Sequence, residues 1–277
     1  MQISIDHITT YRYTEPATGI VQKLRLTPRD NDHQQVVNWR IDVDADGRLV
    51  MAQDPHGNHC HLFYADGPVE ALTLHVNGTV ITSDSHGVVR GTDEPLVPII
   101  YRRSTDLTEI TPAIAAFAEP FRHADPLETL HALMLGVKDR MQFEPGITNV
   151  VTNADSALQL GRGVCQDLSQ IFIAAARHLQ HPARYVSGHF AASEHPEQEA
   201  AHAWAEAYIP DLGWVTFDPT HGISGSEAHI RVAVGLDSLD AAPVRGSRRG
   251  GGTESLAVGV FGRQSGSQGQ SQIQSQS

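Results

Sequence analysis

The chain is short of positive charge. Twenty Lys and Arg side chains stand against thirty-two Asp and Glu, giving a net charge of -12, and the only lysines are Lys23 and Lys138. So acidic a surface repels a phosphate backbone, which excludes nucleic acid as a natural partner. No stretch reaches the roughly 18 apolar residues of a membrane span, and the amino terminus MQISIDHITTYRY alternates like a strand instead of running basic then apolar like an export signal. No membrane partner is expected, and the expected location is cytoplasmic. Cysteine is nearly absent as well. Cys60 and Cys165 cannot form a stapling framework, and in a reducing compartment each is a free thiol to be explained singly.

What is present is a globular composition: 277 residues, 40% hydrophobic and 19% charged, enough for one large domain or two modest ones. From Ile3 to Ile81 short β-type runs alternate with turn residues, at Ile3–Tyr13, Val21–Leu26, Val36–Val43, His59–Tyr64 and Leu72–Ile81, with turn signals at Asp46-Gly47 and Gly57-Asn58. The pattern predicts an antiparallel sandwich or barrel over residues 1–85. Residues 86–106, with Gly87, Gly91, Pro95 and Pro98, read as a connecting segment.

A second, α+β domain is expected over 107–262. Thr111-Pro112 and Asp125-Pro126-Leu127-Glu128 are helix starts, the second helix running to about Met141. A short helix over Ser156–Leu160 is broken at Gly161-Arg162-Gly163. Cys165, Leu168, Phe172, Ala175 and Leu179 then recur at spacings of three and four, so Cys165 opens a buried amphipathic helix. Strands follow at Tyr185–Ala191, Ala201–Ile209 and Trp214–Phe217, with weaker ones at Ile230–Val234 and Leu256–Phe261. Residues 263–277 are a Gly/Ser/Gln segment expected to be a solvated tail.

Thiol catalysis needs a thiolate, which a helix N-terminus or an imidazolium favours. Cys165 stands where both could act, and the helix's first amides could hold an oxyanion. Gly163 would leave room for a substrate carbonyl. The alternative is a cysteine serving as a small core hydrophobe. In AAHAWAEAYIP the residues His202, Trp204, Glu206 and Tyr208 face one way and four alanines the other. A hairpin centred on Pro210 would set His202 directly opposite Asp218, a carboxylate placed to hold an imidazole. Singly, His202 reads as a satisfied sheet histidine and Asp218 as a turn former before Pro219. Together, in the order Cys, His, Asp, they point to a catalytic triad.

Longer motifs carry a resemblance. GRGVCQDLSQIFIAAARHLQHPARYVSG (161–188), AAHAWAEAYIPDLGWVTFDPTHG (200–222), IRVAVG (230–235) and DAAPVRG (240–246) resemble the bacterial transglutaminase-like proteins, a family suspected of cysteine protease activity. YRYTEPAT (11–18), KLRLTPR (23–29) and DPHGNHCHLF (54–63) resemble its amino-terminal β domain. The resemblance implies a papain-like core with Cys165 as nucleophile, His202 as base and Asp218 as orienter. One departure is Gly235-Leu236-Asp237-Ser238, where members carry an Arg-Asp-Tyr type sequence; if that stretch lines the cleft, the acceptor side is altered through Leu239.

The expected activity is acyl transfer at a peptide or protein amide through a thioester, as a peptidase or amidase; the alternatives are a transglutaminase and an inactive binding module of the same fold. Gln159, Gln166 and Trp204 are candidates for the oxyanion site or cleft, Gln159 also reading as an exposed helix residue. No cofactor or metal is expected. His56, His59, Cys60 and His61 tempt as ligands, but on a strand Cys60 points away from His59 and His61. Asp167 reads as a first-turn helix acid. Arg245, Arg248 and Arg249 read as a solvated basic patch.

Overall fold

The computed structural model describes residues 1–191, 201–264 and 274–276. The chain opens with β1 (Gln2–Leu24), β2 (Gln34–Val43), β3 (Gly47–Gln53), β4 (His59–Ala65) and β5 (Val69–Thr82). A short β6 (Val88–Val89) leads to α1 (Pro112–Ala118) and α2 (Pro126–Arg140). Next come β7 (Gln142–Phe143), α3 (Ala154–Leu160), β8 (Arg162–Gly163) and α4 (Cys165–His178). Strands β9 (Ala183–Phe190), β10 (Ala201–Ile209), β11 (Gly213–Asp218), β12 (Ile223–Ser224) and β13 (His229–Gly235) follow. The last are β14 (Val244–Gly250), β15 (Glu254–Gln264) and β16 (Gln274–Gln276). The fold class is α+β, an antiparallel amino-terminal sheet followed by a helix-and-sheet core.

The first sheet is built on β1. Its buried positions are Ile3, Ile5, His7, Thr9, Tyr13 and Ala17, all odd, then Ile20, Gln22 and Leu24, all even. A change of parity along one strand requires an extra residue, and the register with β14 slips between Ala17 and Gly19. β5 lies along the first half of β1, and β4 pairs with the end of its second half. β3, on the outer edge of β4, was not among the expected strands: Leu49, Val50 and Met51 are all exposed, so the run has no inward and outward alternation to read.

The remaining neighbours of β1 come from the other end of the chain. β15 pairs with Ile3–Tyr13 and β14 with Ala17–Leu24. The Leu256–Phe261 run, expected in the second domain, completes the first sheet instead. Its composition is right for a strand in either place, and only the pairing partner decides. β15 also runs through Gln264, into the stretch expected to be tail; residues 265–273 and 277 of that stretch lie outside the described residues.

In the second domain the caps form as the sequence predicts. Thr111 accepts from Ile114 N, and Asp125 accepts from Leu127 N and Glu128 N. α4 is buried from Asp167 to Arg177. Its Leu168, Phe172 and Ala175 share one core with Ala203, Ala205 and Ala207 of β10, whose small side chains let the helix approach the sheet closely. The sheet runs β12-β11-β10-β9-β13, with β6 on β11.

β13 is where the two domains meet. Ile230 and Val232 pack against Ile3, Ile5 and Val80. One edge of β13 pairs with β9; on the other, side-chain amides replace a neighbouring strand. Gln34 donates to Arg231 O at 2.9 Å and accepts from Arg231 N at 2.8 Å, and Asn58 does the same for Val234 at 2.7 and 2.8 Å. Peptide groups that would otherwise be buried unpaired are satisfied from the first domain. The connecting segment is packed too: Tyr101 is buried, its hydroxyl on His56 and its ring edge-on to Trp214. Among the described residues no helix is long and apolar enough to cross a membrane.

Candidate active site

The approach to Cys165 is set by a change of direction. α3 ends at Gly161, in the left-handed region at φ 69°, and Arg162-Gly163 pair with Gln142-Phe143 before α4 begins at Cys165. Asp167, fully buried, closes this turn: its Oδ2 accepts from Val164 N at 2.8 Å and from the Thr148 hydroxyl at 2.7 Å. Burial pushes its carboxyl above the usual carboxylate range, against the pull of those hydrogen bonds. Asp167 is therefore a clamp between the turn and the 148 loop, more than a first-turn charge. Gly163 has a different reason from the one expected. A Cβ there would lie 2.6 Å from Asp167 Oδ2, so the missing side chain makes room for the clamp rather than for substrate.

The hairpin joining β10 and β11 is centred one residue further on than expected. Ala205 opposes Phe217 and Tyr208 opposes Trp214, around Asp211 at φ 69°. Continuing that register places Trp204, not His202, opposite Asp218. The slip is two residues, so every side chain keeps its face, and His202 reaches Asp218 on the diagonal. His202 Nε2 lies 2.8 Å from Asp218 Oδ2. Nε2 is engaged by Asp218, which leaves Nδ1 as the imidazole nitrogen free to face Cys165, whose thiol is near enough to act on the His202 charge. Burial lowers the His202 pKa, but the charge and hydrogen bond of Asp218, with Cys165, outweigh it and raise the group to about 10. His202 is thus a cation at neutral pH.

Asp218 is fully buried. Its two oxygens divide the work. Oδ1 accepts from the backbone N–H of Thr220 at 3.0 Å and of His221 at 3.2 Å, which is the turn-forming role anticipated before Pro219. Oδ2 faces imidazoles: besides His202, it lies 2.7 Å from His221 Nδ1 and 3.2 Å from His229 Nε2. Burial alone would raise this carboxyl; the His202 charge and the hydrogen bonds of all three histidines hold it well below the usual range. The sequence assigns neither His221, inside the 200–222 motif, nor His229, one residue before the 230–235 motif, a role, and the one local hint is the three-residue spacing of His221 from Asp218. Among the described residues, His202, Asp218 and His221 are the donors close enough to share one cation, their ligand atoms lying within 4.8 Å of one another. A cation there would take the Nε2 lone pair of His202.

The other candidates have partners of their own. Gln159 is exposed on α3 and its amide is spent on Asp155, one turn back, at 2.5 Å. Gln166, beside Cys165, reaches Asn149 O at 3.4 Å. Trp204 is buried with Val186 and Val234, its ring edge-on to His229, and it lines a small pocket together with Glu206, Thr216 and His229. The DPHGN stretch serves the domain interface. Asp54 gathers Arg25 at 2.7 Å and Asn58 at 3.0 Å, and His56 bonds Tyr101 and, at 2.7 Å, Asp240. Cys60 is fully buried, and burial pushes its thiol up. In the 235–239 stretch Arg177 donates to Leu236 O and Ser238 to Gln170. Arg245, Arg248 and Arg249 lie on β14 of the first sheet.

Residues 3–81 match the bacterial transglutaminase-like N-terminal region, and residues 115–219 match the transglutaminase-like superfamily core. An uncharacterised protein of Mycobacterium leprae is 30% identical over 283 residues, covering 94% of this chain and 97% of that one. The chain belongs to the bacterial transglutaminase-like family. Another uncharacterised protein, from Mycobacterium tuberculosis, is 29% identical over 269 residues, with 87% and 86% coverage. A crystal structure of a candidate cysteine protease from Cytophaga hutchinsonii superposes with a TM-score of 0.78 at 20% identity, covering 98% of this chain and 93% of that one. That likeness is one of fold, over nearly the whole of both chains.

Proposed function

We propose that this member of the transglutaminase-like family is an enzyme that transfers acyl groups from amides through a thioester on Cys165. The observation that carries the reading is the imidazole of His202, bonded to the buried Asp218 carboxylate through Nε2 and set beside the Cys165 thiol at the first turn of α4. A cationic His202 is the partner a thiolate requires. The sulfur attacks the amide carbonyl, and the oxyanion is held by the Cys165 backbone N–H at the helix N-terminus. Collapse breaks the C–N bond as His202 gives its Nδ1 proton to the departing amine, leaving a thioester and a neutral imidazole. Water then attacks the thioester, His202 taking its proton, to release the acid. The substrate is a peptide or protein amide, the class is peptidase or amidase, and the setting is cytoplasmic, where both thiols stay reduced.

An amine acceptor in place of water would make the same intermediate a transglutaminase reaction. The test is to incubate the protein with a mixed peptide pool, quench in acid and weigh the peptide that contains Cys165. An acyl adduct on Cys165 that disappears in time, with free acid formed, is expected. Turnover by Cys165→Ala, or no adduct on Cys165 while peptides are cleaved, would overturn the reading; incorporation of a supplied biotinylated amine would assign transglutamination instead.

A further inference from the structure

The proposed reaction uses one imidazole, yet three converge on Oδ2 of Asp218. His229 is the more buried of the two extra ones, its side chain 5% exposed against 27% for His221. Its protonation can be read from its partners. Nδ1 lies 3.1 Å from the backbone N–H of Ser226, which can only donate, so Nδ1 carries the lone pair and the proton must sit on Nε2, aimed at Asp218. A second proton on His229 would break the bond from the Ser226 backbone N–H, leaving only the Ser226 hydroxyl, 3.2 Å from Nδ1, as an acceptor. His221 presents Nδ1 to the same oxygen, and its ring is stacked on Phe190 with centroids 4.3 Å apart.

A carboxylate offers about four lone-pair directions. Here three imidazoles crowd Oδ2 and two backbone N–H groups occupy Oδ1, so no direction is left over. Such a carboxylate can neither rotate nor accept a proton. With only His202 as partner, a carboxyl so deeply buried would tend to draw the Nε2 proton towards itself. Saturation by neighbouring donors leaves that proton on Nε2, fixes the plane of the His202 ring and directs its exchangeable Nδ1 proton at Cys165.

Resting on the acyl-transfer reading, we infer that His229 and His221 are positioning residues which saturate Asp218 and thereby orient His202 towards Cys165. They act through Asp218, with His221 also edge-on to the His202 ring at 5.0 Å between centroids.

The experiment uses the full chain and two readouts. One is the rate at which iodoacetamide alkylates Cys165 at pH 7, which needs no substrate recognition; the other is kcat and KM for p-nitrophenyl acetate. His229→Ala is expected to lower the alkylation rate and kcat by about 10- to 100-fold, the range for losing a hydrogen bond to a charged group, with KM little changed. His229→Gln, whose amide N–H can stand in for Nε2–H, should restore most of the loss, as His221→Asn should relative to His221→Ala. Gln and Ala at 229 being equally depressed would make the role structural and overturn the inference. If His202→Ala slows alkylation while His229→Ala and His221→Ala do not, the inference falls and the thiol–imidazole pair stands. If His202→Ala alkylates as fast as the wild type, both fall together. The partly exposed His221 keeps the test decisive should His229→Ala fail to fold.

Discussion

Asn58→Leu should loosen the junction between the two sheets by an amount that can be worked from the structure. The Asn58 side chain donates to Val234 O at 2.7 Å and to Asp54 at 3.0 Å, and accepts from Val234 N at 2.8 Å, all buried. Leucine has nearly the same volume, so packing is preserved and the cost is polar. Val234 is left with an unpaired N–H and C=O, at about 1–3 kcal/mol each, and Asp54 loses one donor while keeping Arg25. The expected loss is about 3–6 kcal/mol, a large share of the roughly 5–15 kcal/mol that holds a typical fold. Urea unfolding followed by tryptophan fluorescence measures it, with Trp39 in the first sheet and Trp204 and Trp214 in the second as reporters. Asn58→Asp is the control: it keeps the acceptor for Val234 N but loses both donated bonds and sets a second carboxylate against Asp54, so it should be no less damaging. A loss under about 1 kcal/mol for Asn58→Leu would refute the account of β13 as a strand edge completed by side-chain amides.

In the native protein iodoacetamide should label Cys165, half-buried at the start of α4, and spare the fully buried Cys60 until the chain unfolds; equal labelling of both would contradict the placement of Cys60. His202, raised to about 10 by Asp218 and Cys165 against the effect of burial, should stay protonated across neutral pH. Its contribution to stability is complete below about 6.5, the value for an unfolded histidine, and fades as pH rises towards 10. A flat His202 ring-proton shift by NMR between pH 6 and 8 is expected, and a midpoint near 6.5 would refute it. Glu94 is lowered to about 2: burial would raise it, but the bidentate contact with Arg184 prevails. Its stabilising contribution is present above the unfolded value of 4.5 and is lost as pH falls towards 2, so stability should drop less steeply in Glu94→Gln than in the wild type over that window. Equal slopes would show that the Arg184 contact is not formed in solution.

The sequence by itself determined the local features of this protein. The three-and-four spacing after Cys165 specified a helix and its inward face, Thr111 and Asp125 specified caps, and the alternation in AAHAWAEAY specified which face His202 shares with Glu206. The parity of His202 and Asp218 survived a register two residues off, because side chains in a strand repeat every two. Partner choice was decided by tertiary structure. Nothing local to Leu256–Phe261 says that it pairs with β1 instead of joining the second sheet, since both places accept the same alternation and only burial summed over distant strands distinguishes them. The same holds for Asn58 and Gln34, polar residues with no periodic signal that become strand mimics only where β13 arrives beside them. Asp167 and Gly163 have reasons other than the expected ones because Thr148 reaches back to Asp167 and the Asp167 carboxylate fills the space beside Gly163. His221 and His229 meet at Asp218 because the turn after β11 and the start of β13, three strands away in the sheet order, converge there. Propensity and face are set by residues a few positions apart, whereas a shared hydrogen-bond acceptor depends on the path of the whole chain.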